Sequence, residues 1–205
     1  VTSIRSYFGH KRHDAVDEDL LRGWLFAVPA GALLASAAAA YMSSGMLRAV
    51  FAVVCILIAL KLLLGKDSWR LGKELPGNPL KALVGTAIGF LSTLMGIGGG
   101  VLNNTFMTAY GRPIHQAVAT SAGIGMLIAI PGFLGYIWAG WGQAGLPPFS
   151  TGYVNWLAVA LLIPMSIIVT PYGVKTAHAL PKRRLELLLG ASLVFVAARF
   201  GWSLL

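Results

Sequence analysis

Long apolar stretches separated by short polar loops run through this chain, and they predict membrane-crossing helices rather than a soluble core. Residues 23–42, 46–64, 117–138, 154–174 and 185–205 are apolar runs, each near the roughly 20 residues that a spanning helix needs. The pattern changes between residues 80 and 110. Segments 80–94 and 101–110 are apolar but short, and Gly96-Ile97-Gly98-Gly99-Gly100 lies between them. A glycine run at bilayer depth exposes backbone N–H and C=O groups. Irregular backbone survives there only when buried in protein or lining a watery cavity. Glycine also accepts positive φ and lets the backbone approach a solute closely. A helix broken in this way points to a transporter's binding site. Gly85 and Gly89 form a small-xxx-small pair suited to close helix packing.

The loop charges set the orientation. Loop 175–184 carries Lys175, Lys182, Arg183 and Arg184, which predicts a cytoplasmic position. Loop 139–152 has no charge and reads as outside. Residues 111–116, with Arg112 and His115, are then inside, and so is the basic loop 66–79 with Lys66, Arg70 and Lys73. Both flanks of segment 80–110 therefore lie on one side. The segment is expected to enter and leave by the same face, as a re-entrant hairpin tipped by glycines. The rival reading, a single kinked span, would place a basic loop outside.

A faint internal repeat organises the rest. Thr2-Ser3 echoes Thr120-Ser121, and Trp24-Leu25 echoes Trp156-Leu157, in the same order along the chain. Loop 9–22 reads inside while its counterpart 139–152 reads outside, so the halves are inverted, as in many secondary transporters. The expected fold is an all-α membrane protein, a polytopic helical bundle of two inverted repeats. Residues 1–79 form the latter part of the first repeat, with spans 23–42 and 46–64. Residues 80–205 form the second, with the broken hairpin 80–110 and spans 117–138, 154–174 and 185–205. The first repeat is incomplete on this plan, short of a hairpin and helix start of about 40 residues. A homodimer is one way to supply the symmetric half.

Composition agrees with a membrane assignment. Hydrophobic residues make up 57% of the 205 and charged residues 11%, against a soluble norm of about 25% charged. The net charge of +9 could suggest nucleic acid. The Lys and Arg residues instead cluster in short loops at the ends of apolar runs, so a lipid bilayer is the expected partner and nucleic acid is not. Trp24, Trp138, Trp141 and Trp156 sit at span ends, where interfacial anchoring is expected. The lone cysteine, Cys55, excludes an internal disulfide and reads as a packed hydrophobe. All seven acidic residues fall in loops or at span edges, so no carboxylate relay is visible at mid-membrane. No metal-ligand spacing and no phosphate-binding glycine loop of the ATPase type occurs. No nucleophile and base are paired within the spans. An enzyme is not expected, and neither is a cofactor.

The candidate chemistry lies around the glycines. A small anion crossing a membrane needs polar donors that do not hold it too tightly. Helix N-termini and glycine nests supply backbone N–H groups with partial positive charge. Gly98, Gly99 and Gly100 open into helix 101–110; Asn103 and Asn104 add amide donors one turn in, and Thr120 and Ser121 add hydroxyls. These residues are expected to converge on the solute.

Gly96-Ile97-Gly98-Gly99-Gly100, followed by Gly111-Arg112-Pro113-Ile114-His115-Gln116-Ala117-Val118-Ala119-Thr120-Ser121, resembles the second signature of the TauE/SafE sulfite exporter family of membrane permeases. So do Pro171-Tyr172-Gly173, Ala177-His178-Ala179-Leu180-Pro181 and Arg184-Leu185. Thr2-Ser3 looks like the end of the family's first signature, which adds both residues to the candidate site. The resemblance covers nearly the whole chain without the first glycine signature. Where the family usually carries proline after the glycines, this chain reads Val101-Leu102-Asn103-Asn104-Thr105. The resemblance implies a multi-pass permease of the cell (inner) membrane that moves small anions such as sulfite or organosulfonates. The alternative is a non-transporting subunit or a truncated remnant of such a permease.

Overall fold

A computed structural model describes residues 3, 7, 16–64, 72, 75–179 and 182–202. In chain order its helices are α1 (Glu18–Gly23), α2 (Ala27–Tyr41), α3 (Ser44–Leu64), α4 (Asn78–Met95), α5 (Gly100–Ala109), α6 (Ile114–Ala139), α7 (Trp156–Ala179) and α8 (Lys182–Trp202). A two-strand ribbon, β1 (Ser150–Thr151) with β2 (Val154–Asn155), precedes α7. The chain divides into two compact units. One comprises Val1–Tyr41 and Trp69–Val154, the other Met42–Ser68 and Asn155–Leu205.

In the first unit α2 packs on α4 and α6, and α5 packs on α6. The α2–α4 seam is built on small residues. A Cβ on Gly89 would run into the carbonyl oxygen of Val28, and one on Gly31 into that of Thr86. Backbone meets backbone there, the close approach that a small-xxx-small stripe permits between helices. Gly85 lies under the indole of Trp24, whose Cδ1 is 2.6 Å from where a Cβ would stand. The apolar core of the unit is Leu20, Trp24, Val28, Ile88, Met107, Ala117, Ile124 and Ile128.

The structure corrects the expectation for Trp24. It is fully buried, it donates from Nε1 to Lys81 O at 2.7 Å, and its ring lies 5.5 Å from that of Phe106. Indole anchors an interface when one edge can stay wet; here the carbonyl of Lys81 replaces water and the ring fills the core. Trp138, Trp141 and Trp156 are exposed. Loop 9–22, read as a loop on the inside, contains the start of α1, and its residues 9–15 lie outside the described residues. Its Asp17 is buried and caps that helix, accepting from Leu20 N at 3.0 Å. The apolar run 23–42 is not one helix: the chain turns at Trp24, Leu25 and Phe26 before α2 begins. The ribbon at 150–155 is a small departure from an all-helical chain. It folds back on α6, with Tyr153 N donating to Tyr136 O at 3.1 Å.

Segment 78–113 approaches one place twice. Asn78 and Lys81 at the start of α4 line the same cleft, of about 620 Å³, as Tyr110, Gly111, Arg112 and Pro113 after α5.

In the second unit α3 and α8 pack antiparallel. Phe51 meets Phe200 edge-on at 5.0 Å, and at the other end Gly190 packs against Leu62 and Leu63. Arg183 reaches the C-terminus of α3, donating to Leu62 O at 3.0 Å and to Leu63 O at 2.7 Å. Those carbonyls have no acceptor role left inside the helix, and a cation there also favours the helix dipole. Arg183→Gln is expected to destabilise this unit by about 1–2 kcal/mol. Detergent unfolding of the purified protein measures this, and an unchanged midpoint would leave the contact without energetic weight.

Two described helices, Ser44–Leu64 and Ile114–Ala139, are long and apolar enough to cross a membrane, while Ala27–Tyr41, Trp156–Val169 and Leu187–Trp202 are shorter apolar stretches. Along α7, Leu157, Leu161, Leu162, Met165 and Ile168 are all exposed. A helix that presents apolar side chains outward in this way is suited to hydrocarbon.

Candidate functional site

The site begins where α4 stops. Gly96 takes φ +67° and closes the helix: its N–H donates to Thr93 O at 3.2 Å, and Ile97 N donates to Ser92 O at 3.2 Å. This pair of bonds is the Schellman ending, which needs a left-handed residue at the position Gly96 fills. Gly98 and Gly99 follow at φ +70° and +78°. Three left-handed residues within four positions cannot continue a helix built from L-residues. Helix α5 then starts at Gly100. Its first internal bond runs from Asn103 N to Gly99 O at 3.0 Å, and Gly99 has no side chain to cap it. Helix geometry leaves the amides of Gly100, Val101 and Leu102 over at this end, with the positive pole of the dipole.

The break lies along the middle of α6. A Cβ on Gly99 would meet Ile128 Cδ1 at 2.7 Å and Ile124 Cγ2 at 3.1 Å, and Gly100 O stands 3.5 Å from Ser121 Oγ. On the other side there is space: among the described residues nothing lies within 4 Å of where a Cβ on Gly96, Gly98 or Gly100 would point.

Asn103, Ser121 and Asn104 form one chain of hydrogen bonds. Asn103 is fully buried, and its Nδ2 donates to Ser121 Oγ at 2.8 Å and to Ala117 O at 3.3 Å. The carbonyl of Ala117 can only accept, which fixes the orientation of the amide. The Ser121 hydroxyl reaches Asn104 Oδ1 at 2.7 Å and Ala117 O at 2.8 Å. With Oδ1 of Asn104 accepting from Ser121, its NH2 is the donor end of the chain and has no partner among the described residues. Such a chain polarises along its length and strengthens the terminal donor.

Buried polar atoms with no partner occur on both sides of the break along the chain. Ser92 Oγ, Thr93 Oγ1 and Asn103 Oδ1 have none among the described residues. Ser92 and Thr93 stand just before the glycines and Asn103 just after them. Ser92 Oγ lies 3.7 Å from the position of a Cβ on Gly99. Native structures bury few orphaned polar groups, and each calls for an explanation such as a bound water or ligand.

Of the residues expected from sequence, Gly98, Gly99, Gly100, Asn103, Asn104 and Ser121 meet at this break. Ser3 joins them: its Oγ is 2.9 Å from where a Cβ on Gly125 would stand, and Gly98 O is 3.3 Å from the same point. Thr2 lies outside the described residues. Thr120 turns the other way, its fully buried Oγ1 accepting from Asp17 N at 2.9 Å, so it holds α1 rather than the break. Ser92 and Thr93 escaped the sequence reading. Their signal was a third hydroxyl pair, placed just ahead of the glycines as Thr120-Ser121 is placed after them.

The fold and the site together define an α-helical membrane protein whose polar groups gather at a broken helix. The chain belongs to the sulfite exporter TauE/SafE family, whose model matches residues 1–200. It is 34% identical over 150 residues to a probable membrane transporter protein of Haemophilus influenzae, covering 72% of this chain and 56% of that one. It is 32% identical over 112 residues to a probable membrane transporter protein of Methanocaldococcus jannaschii, covering 54% of this chain and 40% of that one. The chain thus spans about half the length of the curated relatives it matches. No solved structure matches it.

Proposed function

We propose that the protein is a secondary permease of the inner membrane that moves small anions of the sulfite or organosulfonate type by alternating access at the glycine-broken helix. The observation that carries this reading is the coincidence at one place of three left-handed glycines, a helix N-terminus with uncapped amides, and the orphaned hydroxyl of Ser92. Backbone amides and neutral side chains bind an oxyanion without a full counter-charge, which suits a solute that must also leave. The position beside residues 121–128 of a 26-residue helix would put the break near mid-bilayer. The cleft shared by the start of α4 and the end of α5 supports a re-entrant hairpin, entering and leaving by one face. The family's description as sulfite exporters supports the substrate class. The collinear echoes and opposite loop charges support two inverted repeats in a multi-pass protein.

Flux of sulfite, sulfoacetate and thiosulfate into proteoliposomes holding the full-length protein tests the proposal. Flux above empty vesicles is expected, and flux equal to them would overturn it. Asn104→Ala removes the free donor of the Asn103–Ser121–Asn104 chain. It is expected to lower the maximal rate about 10-fold or more, the worth of one hydrogen bond to a charged group. An unaltered rate would take Asn104 out of the site.

A further inference from the structure

The cleft lined by Asp17, Asp19, Lys81, Tyr110 and Arg112 is separate from the glycine break. Tyr110 lies seven residues along the chain from Asn103, about 10 Å at helical rise. Two cations reach the cleft from different elements. Lys81 on α4 is held in place by its stem on Gly23 and by donation from Nζ to Asp19 O at 3.0 Å. Arg112, in the turn between α5 and α6, points Nη2 at Asp17 Oδ2 across 3.7 Å, too far for a hydrogen bond.

Asp17 is the unusual member. Its side chain is only 7% exposed, and Oδ1 is occupied by Leu20 N. Oδ2 is buried and hydrogen-bonded to nothing among the described residues. Its backbone N–H is fixed by Thr120, the residue before Ser121 of the amide chain. The carboxylate is therefore locked, while the guanidinium facing it is 44% exposed and only loosely paired. A fixed carboxylate beside a part-exposed guanidinium that it does not hydrogen-bond is an arrangement in which a second anion can take the cation over.

We propose that this cleft is an outer docking site for the small anion, with Arg112 and Lys81 as its cations and Asp17 as the resident competitor that keeps Arg112 exchangeable. The proposal rests on the permease reading for its purpose, since docking here would feed the site at the glycine break. The chemistry it requires is that of a small oxyanion, recognised by a planar guanidinium and an ammonium. On the orientation given by the basic loops, the cleft opens to the cytoplasm.

The two members of the pair give opposite expectations. Arg112→Gln removes the docking cation, so sulfite binding to the detergent-solubilised full-length protein should weaken about fivefold or more. Asp17→Asn removes the competitor, and because asparagine also caps a helix it leaves α1 capped. Sulfite binding should then tighten, by up to about fivefold, the range of an exposed ion pair. A pair that only supports the fold would make both variants worse, and such a result, or no change in either, overturns the proposal. Arg112→Lys keeps a cation if Arg112→Gln fails to fold, and its binding should fall between that of the parent and that of Arg112→Gln; binding as weak as that of Arg112→Gln would overturn the proposal. In proteoliposomes Arg112→Gln should raise KM with the maximal rate within about twofold. A lowered maximal rate at unchanged KM would also overturn docking. If no variant and no parent protein gives flux while the opposite binding shifts persist, the docking site stands and the permease reading falls.

Discussion

Gly99→Leu is expected to abolish anion flux while the protein still inserts in the membrane. Two separate penalties meet at this residue. Its φ of +78° disfavours any side chain, at about 1–2 kcal/mol for a non-glycine residue in that region. The new side chain would also start within 2.7 Å of Ile128 Cδ1 and 3.1 Å of Ile124 Cγ2, and overpacking of this kind costs about 1–3 kcal/mol. The break would shift away from α6, and Gly100 O would no longer lie beside Ser121. Helices α4 and α6 keep their apolar surfaces, so insertion should survive. Two comparisons sharpen the test. Gly98→Ala carries the conformational penalty alone, because nothing described lies within 4 Å of its Cβ direction, and it should retain part of the flux. Gly98→Leu fills that open side and should lose it. Retained uptake in Gly99→Leu, measured against membrane-fraction yield, would reduce the glycine run to a packing device.

Gly89→Leu is expected to be the most destabilising single change in the first unit. A Cβ there collides with the carbonyl of Val28, and backbone cannot yield as a side-chain tip can. The helices must separate, and Gly31 on Thr86 would lose its close approach as well. The expected loss is about 3 kcal/mol or more, read as earlier unfolding in a denaturing detergent titration. Gly201→Ala is the control. It lies in α8 with nothing within 4 Å, so alanine should be neutral or slightly stabilising there. Equal behaviour of the two variants would mean that α2 and α4 are not in backbone contact at Gly89 and Val28.

Several elements were legible in the residues because the force that makes them is local. The helix break at 96–99 follows from glycine alone, since only that residue takes successive left-handed conformations without steric cost. The small stripe of Gly85 and Gly89 announced a close helix partner, and α2 is that partner. Trp24 was misread for the opposite reason. Its place at the end of an apolar run looks the same for an interfacial anchor and for a core residue. The difference is Lys81 O, 57 positions away, which satisfies the indole N–H inside the protein. Asp17 was read as one of several loop acids because its neighbours Asp14, Glu18 and Asp19 look the same in the sequence. Its burial depends on Thr120 and Arg112, 103 and 95 residues further on (120 − 17 and 112 − 17).

What the sequence determined by itself is a chain built for lipid, interrupted once by glycines, with amides and hydroxyls close by. Hydropathy and glycine chirality act over a few residues and leave their mark in the order of letters. Which polar atoms face one another was decided only by tertiary structure. Ser121 joins Asn103 and Asn104 while its neighbour Thr120 turns to α1, because adjacent helix positions point about 100° apart and each finds a different packed element. The orphaned oxygens of Ser92, Thr93 and Asn103 belong to that same level, since whether a polar atom is satisfied depends on what long-range packing brings to it.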